Sequence, residues 1–263
     1  MTNRPLISII TPSFNQARFI ETTIRSVLDQ DYPALEYIIV DGGSRDGSVE
    51  IIQRYADRLA WWVSEHDKGQ TDAINKGFSQ AKGEILAWLN SDDTYEPGTL
   101  SAVADFFTQH PETGLVYANT NFINENGRKI GRFPAAQTDY PRLRQGYVHI
   151  PQQAAFFRAD QWRQVGPLDP DFYFAMDYDL WVRLAKLARP VYLPRQTWAN
   201  FRLHTSGKTI TADDRCWPEM LKVHYRDGGS FFAPIVARYY VRKLVAPWLN
   251  MRRKRQMRVG EKE

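Results

Sequence analysis

A chain of 263 residues with 43% apolar content is one large domain or two small ones around a genuine core, and its lone Cys216 excludes an intramolecular disulfide framework and suits a reducing compartment. The formal charge of +4 is lopsided: from Arg238 to the end nine Lys and Arg face two Glu, so the body holds 25 basic against 28 acidic residues. A mildly acidic body excludes a nucleic-acid-binding protein and gives the basic tail a role of its own.

Leu6 to Thr11 reads as a first strand, broken by Pro12-Ser13-Phe14-Asn15. Arg18 to Gln30 follows with Ile20, Ile24, Val27 and Leu28 at helical spacing. Tyr37 to Val40 is a second strand, closed by Asp41-Gly42-Gly43-Ser44-Arg45-Asp46-Gly47, whose glycines permit positive φ and close approach to a ligand. Val49 to Tyr55 begins a second helix, Trp61-Trp62-Val63 is a third strand, and His66-Asp67-Lys68-Gly69-Gln70 a polar loop. Thr71 to Ala81 is a third helix and Ile85 to Leu89 a fourth strand. Strands alternating with helices across short loops predict βαβ units and a parallel sheet, an α/β fold.

In such a sheet the loops after the strands share one edge, where ligands bind. Here that edge carries Asn15, Asp41, Asp67, and Asp92 with Asp93. The two adjacent acids that end Asn90-Ser91-Asp92-Asp93 repel one another, and a hard divalent cation offsets them well. The bland alternative is that each Asp caps the helix after it.

Four stretches carry a resemblance: Pro12-Ser13-Phe14-Asn15; Val40 to Ser48; Asp67-Lys68-Gly69 with Asn75-Lys76-Gly77; and Asn90-Ser91-Asp92-Asp93. Together they are similar to family 2 glycosyltransferases, over about the first 205 residues. The resemblance implies the GT-A fold: a Rossmann-like, mostly parallel sheet flanked by helices, here with a C-terminal helical extension. It implies an inverting transferase that uses a nucleotide-sugar donor and a divalent metal, Mn2+ or Mg2+. By position, the nucleotide-sugar would be held by Pro12, Ser13, Asn15, Asp41, Asp67, Lys68, Gly69 and Asn75, with Asp92 on ribose or sugar and Asp93 on the metal. Two departures stand out. Gly42 replaces a second acid that many members carry, and Asn90 replaces the first acid of the longer strand-end motif, leaving the metal assignment to Asp93.

In the acceptor half, Leu100 to Phe107 is an amphipathic helix, Gly114 to Ala118 a strand, and Asn119 to Gly131 a hairpin turning at Asn126-Gly127. Ala135 to Gly146 has no clear period and is read as a mobile segment beside sugar or acceptor. Gln152 and Gln153 precede a short strand, Ala154 to Arg158; paired amides suit sugar hydroxyls, and a structural role fits them equally. Phe172 to Lys186 has helical spacing, with Asp177 at its start. The resemblance makes Asp177 the catalytic base. One positioned carboxylate suffices to take the acceptor proton, and a helix N-terminus favours its ionised form. Asp179, two residues on, faces elsewhere. In Asn200 to Gly207 the resemblance implies His204 as second metal ligand, with Arg202 beside the diphosphate and Lys208 sharing in offsetting its charge.

The tail divides from the body near residue 212, leaving 1–118 as donor half, 119–212 as acceptor half and 213–263 as extension. Asp213 to Tyr225 is helical. Phe231 to Trp248 joins apolar residues to Arg238, Arg242 and Lys243, ahead of Arg252-Arg253-Lys254-Arg255. The stretch 231–258 suits an anionic membrane surface, and equally a helix packed on the body with a solvated tail. No signal peptide is legible and no run reaches the ~18–20 apolar residues of a membrane span. The expected place is therefore cytoplasmic, peripheral to the inner face of the cell membrane. The expected reaction moves a sugar to a saccharide or lipid-linked saccharide in cell-surface polysaccharide synthesis. A nucleotidyltransferase would show a glycine-rich basic loop after the first strand, which Pro12-Ser13-Phe14-Asn15 is not. A non-catalytic sugar- or nucleotide-binding module would not need Asp92, Asp93 and Asp177.

Overall fold

The computed structural model of the chain describes residues 4–205, 207–208 and 213–244. Strands β1 (Ile7–Ser13), β2 (Leu35–Asp41), β3 (Trp61–Ser64) and β4 (Ile85–Trp88) are parallel, in the order β3-β2-β1-β4. Their register pairs Ser13 with Asp41 and Asp41 with Ser64, so three strands end level on one edge. Helices α1 (Ile20–Leu28), α2 (Ser48–Gln53) and α3 (Gln70–Gln80) make the crossovers.

Side-chain alternation divides the core. Ile85 and Ala87 join Ile7, Ile9 and the inner face of α1 on one side of the sheet. Leu86 and Trp88 join Ile10, Ile74 and Phe78 of α3 on the other. β1, β2 and β4 are buried on both faces, which explains why they read as continuous apolar runs, whereas β3 at the sheet edge is half-buried.

The second half of the chain completes a nine-stranded sheet. It adds β5 (Thr94–Tyr95), α4 (Thr99–Gln109), β6 (Leu115–Ile123), β7 (Lys129–Arg132), α5 (Tyr140–Arg144), β8 (Ala155–Arg158), α6 (Ala159–Val165), α7 (Met176–Leu187), β9 (Val191–Arg202) and α8 (Asp213–Arg226). β8 runs antiparallel between β4 and β6. The hairpin turns as expected, with Gly127 at φ +79° donating its N–H to the Asn124 carbonyl. β9 is not legible in the sequence because Pro194 interrupts it and its register on β6 slips at Asn119. The Asn119 amide fills that irregularity by donating to the Pro194 and Gln196 carbonyls.

The expectation of a mobile 135–146 segment is corrected. Asp139 caps α5 by accepting the Arg142 N–H at 2.9 Å, and Leu143 is fully buried. The Tyr178 hydroxyl donates to the Leu143 carbonyl, fixing α5 on α7. α7 docks on β4 through Trp181 stacked on Trp88, with ring centroids 5.6 Å apart.

Residues 234–244 form a further helix, α9. Met220, Val223, Ile235 and Val236 of α8 and α9 sit in the same core as α7, so among the described residues the boundary near 212 separates no second core. The expected basic continuation from 245 to 258 lies outside the described residues. No helix among the described residues is long and apolar enough to cross a membrane.

Candidate active site

The loop after β2 is built around Asp41. This carboxylate is fully buried and accepts from the Gly43 and Ser44 N–H groups, the Ser44 hydroxyl and the Ser64 hydroxyl. It therefore shapes the loop rather than facing solvent. Ser44 in turn accepts the Asn15 N–H at 2.7 Å, and the Asn15 amide oxygen accepts the Arg45 N–H at 3.0 Å. Asn15 adopts φ +52°, in the left-handed region that Asn tolerates better than most residues. The Ser13 hydroxyl ends β1 buried and without a hydrogen-bond partner. Pro12 is buried and Lys68 is exposed.

Gly42 acquires a physical reason here. A Cβ at this position would stand 2.7 Å from Oδ2 of Asp67. The carboxylate of the third loop occupies the space that a second acid on the second loop would need. Asp67 also accepts the Gly69 N–H at 2.8 Å, which sets the entry to α3.

From α3 the contacts run into the strand-end motif. The Gln70 amide donates to Asn90 at 2.7 Å, and the Asn90 amide donates to Asp93 and to Gln152. Asp93 is fully buried. It accepts the Arg202 N–H at 2.9 Å and is further bonded by Gln153 and Asn90. Burial, and then the neighbouring Asp92, push its pKa well above the carboxylate range. A carboxyl so enclosed ties the strand end to β9. Asp92 is the acid turned outward, its side chain 18% exposed, with Oδ2 2.9 Å from Nε2 of His204. The two atoms stand at hydrogen-bonding distance.

Four further expectations change. Arg202 is buried; its guanidinium donates to the carbonyls of Asp92, Asn124 and Glu125 and lies 4.9 Å over the Phe19 ring. It braces the motif and is not directed at a diphosphate. Gln152 donates to the Trp88 carbonyl at 2.6 Å, so Gln152 and Gln153 support Asn90 and Asp93 from below instead of lining an acceptor cleft. Asn75 exchanges two hydrogen bonds with the backbone of Leu168 and does not reach the donor loops.

Asp177 lies half-buried in the first turn of α7. Burial raises its pKa, the Tyr178 N–H and Lys208 lower it, and Glu219 raises it. Lys208 is held by the Gln70 amide oxygen at 3.0 Å and the Tyr173 carbonyl, 3.8 Å over the Tyr173 ring. Burial pulls its pKa down to about 8 against the pull of Asp177 and Glu219. Gln70 thus bridges Lys208, which faces Asp177, to Asn90 at the acid pair. Asp179 points away into ion pairs with Arg183 and Arg226. Gln70 and Glu219 carry no motif. Gln70 is legible only as the residue that follows Gly69, and Glu219 only from the fold.

The loops after β1, β2, β3 and β4 and the start of α7 therefore meet in one connected site. Residues 8–176 match the family described as glycosyl transferase family 2, well over half the chain. The chain belongs to that family. An uncharacterized glycosyltransferase of Mycobacterium tuberculosis is 32% identical over 194 residues, 73% of either chain. The putative teichuronic acid biosynthesis glycosyltransferase TuaG of Bacillus subtilis is 28% identical, covering 77% of this chain and 81% of its own. Staphylococcus aureus TarS, solved with UDP-GlcNAc, superposes with a TM-score of 0.70 at 18% identity, over 89% of this chain and 71% of that one. A Pyrobaculum calidifontis mannosyltransferase solved with GDP-Man and Mn2+ gives 0.66 at 23% identity, over 94% and 72%. The fold of this family 2 glycosyltransferase is GT-A. The matched family stretch stops one residue short of Asp177.

Proposed function

We propose that the chain is an inverting, metal-dependent hexosyl- or hexosaminyltransferase. It would move a sugar from a nucleotide-sugar to a saccharide or lipid-linked saccharide in cell-surface polysaccharide synthesis. The observation that carries this reading is the convergence of the loops that hold Asn15, Asp41 and Asp67 on Gln70, which bonds both Asn90 beside the acid pair and Lys208, whose charge acts on Asp177. The polysaccharide assignment is supported by the name of TuaG, and the donor class by the nucleotide-sugars bound in the two structural neighbours.

The residues present fit a divalent cation. Asp92 and His204 offer a hard oxygen and an imidazole nitrogen 2.9 Å apart, although no group of three His, Cys, Asp or Glu gathers among the described residues. Two protein ligands suit an ion that takes its other ligands from substrate phosphates and water. When bound, it supplies charge neutralisation on the departing diphosphate. Ser13, Asn15 and the loop shaped by Asp41 take the nucleoside, with Asp67, Lys68 and Gly69 beside it. Lys208 adds a positive charge on the diphosphate side. Asp177 accepts the proton of the acceptor hydroxyl as that oxygen attacks the anomeric carbon from the face opposite the diphosphate. The bond to the diphosphate breaks, the configuration inverts, and no covalent intermediate forms.

The acceptor is met at a bilayer surface. The outer side of α9 presents Tyr240, Val241 and Leu244 at helical spacing, 50%, 58% and 81% exposed, and Phe232 just before it is 93% exposed. Lys243 is exposed among them, and Arg252 to Arg255 follow in sequence. Apolar residues with cations beside them suit the interface of an anionic membrane.

Donor turnover with Mn2+ tests the reaction. A nucleoside diphosphate is expected as product, and its formation is lost in Asp92→Asn. Conversion of the donor to a nucleoside triphosphate and a sugar phosphate when pyrophosphate is added would instead make the chain a nucleotidyltransferase. Flotation with phosphatidylglycerol vesicles tests the surface: binding is expected, and its survival in Phe232→Ser/Leu244→Ser would refute the membrane assignment.

A further inference from the structure

We infer that Glu219 of α8 is a positioning residue for Asp177, so that the C-terminal extension belongs to the catalytic unit rather than being appended to it. The inference rests on the reading of Asp177 as base. Its geometric ground is the way α7 begins. Ala175, at the N-cap position, offers no side-chain cap. The N–H groups at a helix start need partners from elsewhere. Glu219 reaches across from α8 to the N-cap and the two residues before it: its carboxylate accepts the Ala175 N–H at 2.8 Å, the Phe174 N–H at 2.7 Å and the Tyr173 N–H at 3.2 Å. Three successive backbone groups are thereby fixed two to four residues before Asp177. A carboxylate there also meets the positive end of the helix dipole.

The charges facing Asp177 have two sources beyond its own helix. Lys208, after β9, favours the ionised carboxylate, while Glu219 opposes it. Asp179, on the same helix, is engaged by Arg183 and Arg226. Lys208 itself responds to both acids. The three groups form one electrostatic unit assembled from three separate stretches of chain. α8 cannot shift relative to α7 without releasing the turn that aims the base.

The test uses the full chain and compares Glu219→Ala, Glu219→Gln and Asp177→Asn in steady-state transfer across pH, with donor affinity measured by calorimetry. Glu219→Ala is expected to lower kcat about 10- to 100-fold, a loss in the range ascribed to misaimed acid–base groups, with donor Kd changed less than about twofold. Glu219→Gln keeps an oxygen that can accept part of this set and is expected to restore most of kcat. Having no charge, it is also expected to move the acid limb of the kcat profile to lower pH, because one charge opposing ionisation of Asp177 is gone. A wild-type kcat in Glu219→Ala, or an unmoved acid limb in a folded Glu219→Gln, overturns the inference. If Glu219→Ala does not fold, the Gln variant alone decides. Asp177→Asn separates the two levels. An active Asp177→Asn removes the base itself, whereas an inactive Asp177→Asn beside a normal Glu219→Ala removes only the positioning role.

Discussion

The donor edge of the site and its seam with the second half of the chain treat their acids in opposite ways. At the donor edge Asp41 is saturated by four donors, two of them from its own loop backbone, and is fully buried. At the seam with the second half of the chain Asp92 meets a histidine and Asp177 faces a lysine, and both retain solvent access. The difference separates scaffold from chemistry. An acid whose lone pairs are all committed to donors of the protein fixes a loop, and an acid left with a partner that can move is available to a cation or a proton. Asp92 and Asp93 show the same contrast between neighbours in sequence.

The largest effect that would sharpen this contrast is at the base. Asp177→Asn should lower kcat about 10²–10⁴-fold with donor binding retained, because general-base assistance has that worth. A stopped assay with saturating donor measures it, and near-normal turnover would break the distinction. Second is the pH profile. Asp177 must be ionised, and burial raises its pKa, so activity should rise with pH through a point above the ordinary carboxylate range. Lys208 must be charged to face a diphosphate, so activity should fall again above about pH 8. A profile flat from pH 5 to 9, values well on either side of neutrality, would contradict both assignments.

Smaller effects test the scaffold acids. Asp93→Ala leaves the Arg202 N–H and the Asn90 and Gln153 side chains without their acceptor, which should cost about 1–3 kcal/mol of stability in denaturant unfolding. Smallest is Asn75→Ala, which severs two hydrogen bonds to Leu168 and should cost about 1 kcal/mol with unchanged donor kinetics. A raised donor KM in Asn75→Ala would return that residue to the nucleotide site.

The same contrast explains what the sequence discloses. The donor edge is made of adjacent βα units, so Asp41 finds Gly43 and Ser44 two and three residues away. Periodicity and loop composition therefore disclose those loops at the ends of their strands. The seam with the second half is joined across long separations. Arg202 reaches Asp93 over 109 residues and His204 reaches Asp92 over 112. Which of two neighbouring acids faces outward depends on those distant partners, and no local pattern encodes it. Gln152 and Gln153 look like sugar-binding amides for the same reason. Only the packing of β8 against β4 shows them turned under the site. Glu219 is silent in sequence because a carboxylate on an amphipathic helix ordinarily points to solvent.

The central claim is that Asp92, with His204, is the outward acid and Asp93 the inward one. Mn2+ binding followed by electron paramagnetic resonance in the presence of UDP, on folded Asp92→Asn and Asp93→Asn, tests it most directly. Asp92→Asn is expected to lose the bound-Mn2+ signal while Asp93→Asn keeps it. Retention by Asp92→Asn with loss in Asp93→Asn would contradict it.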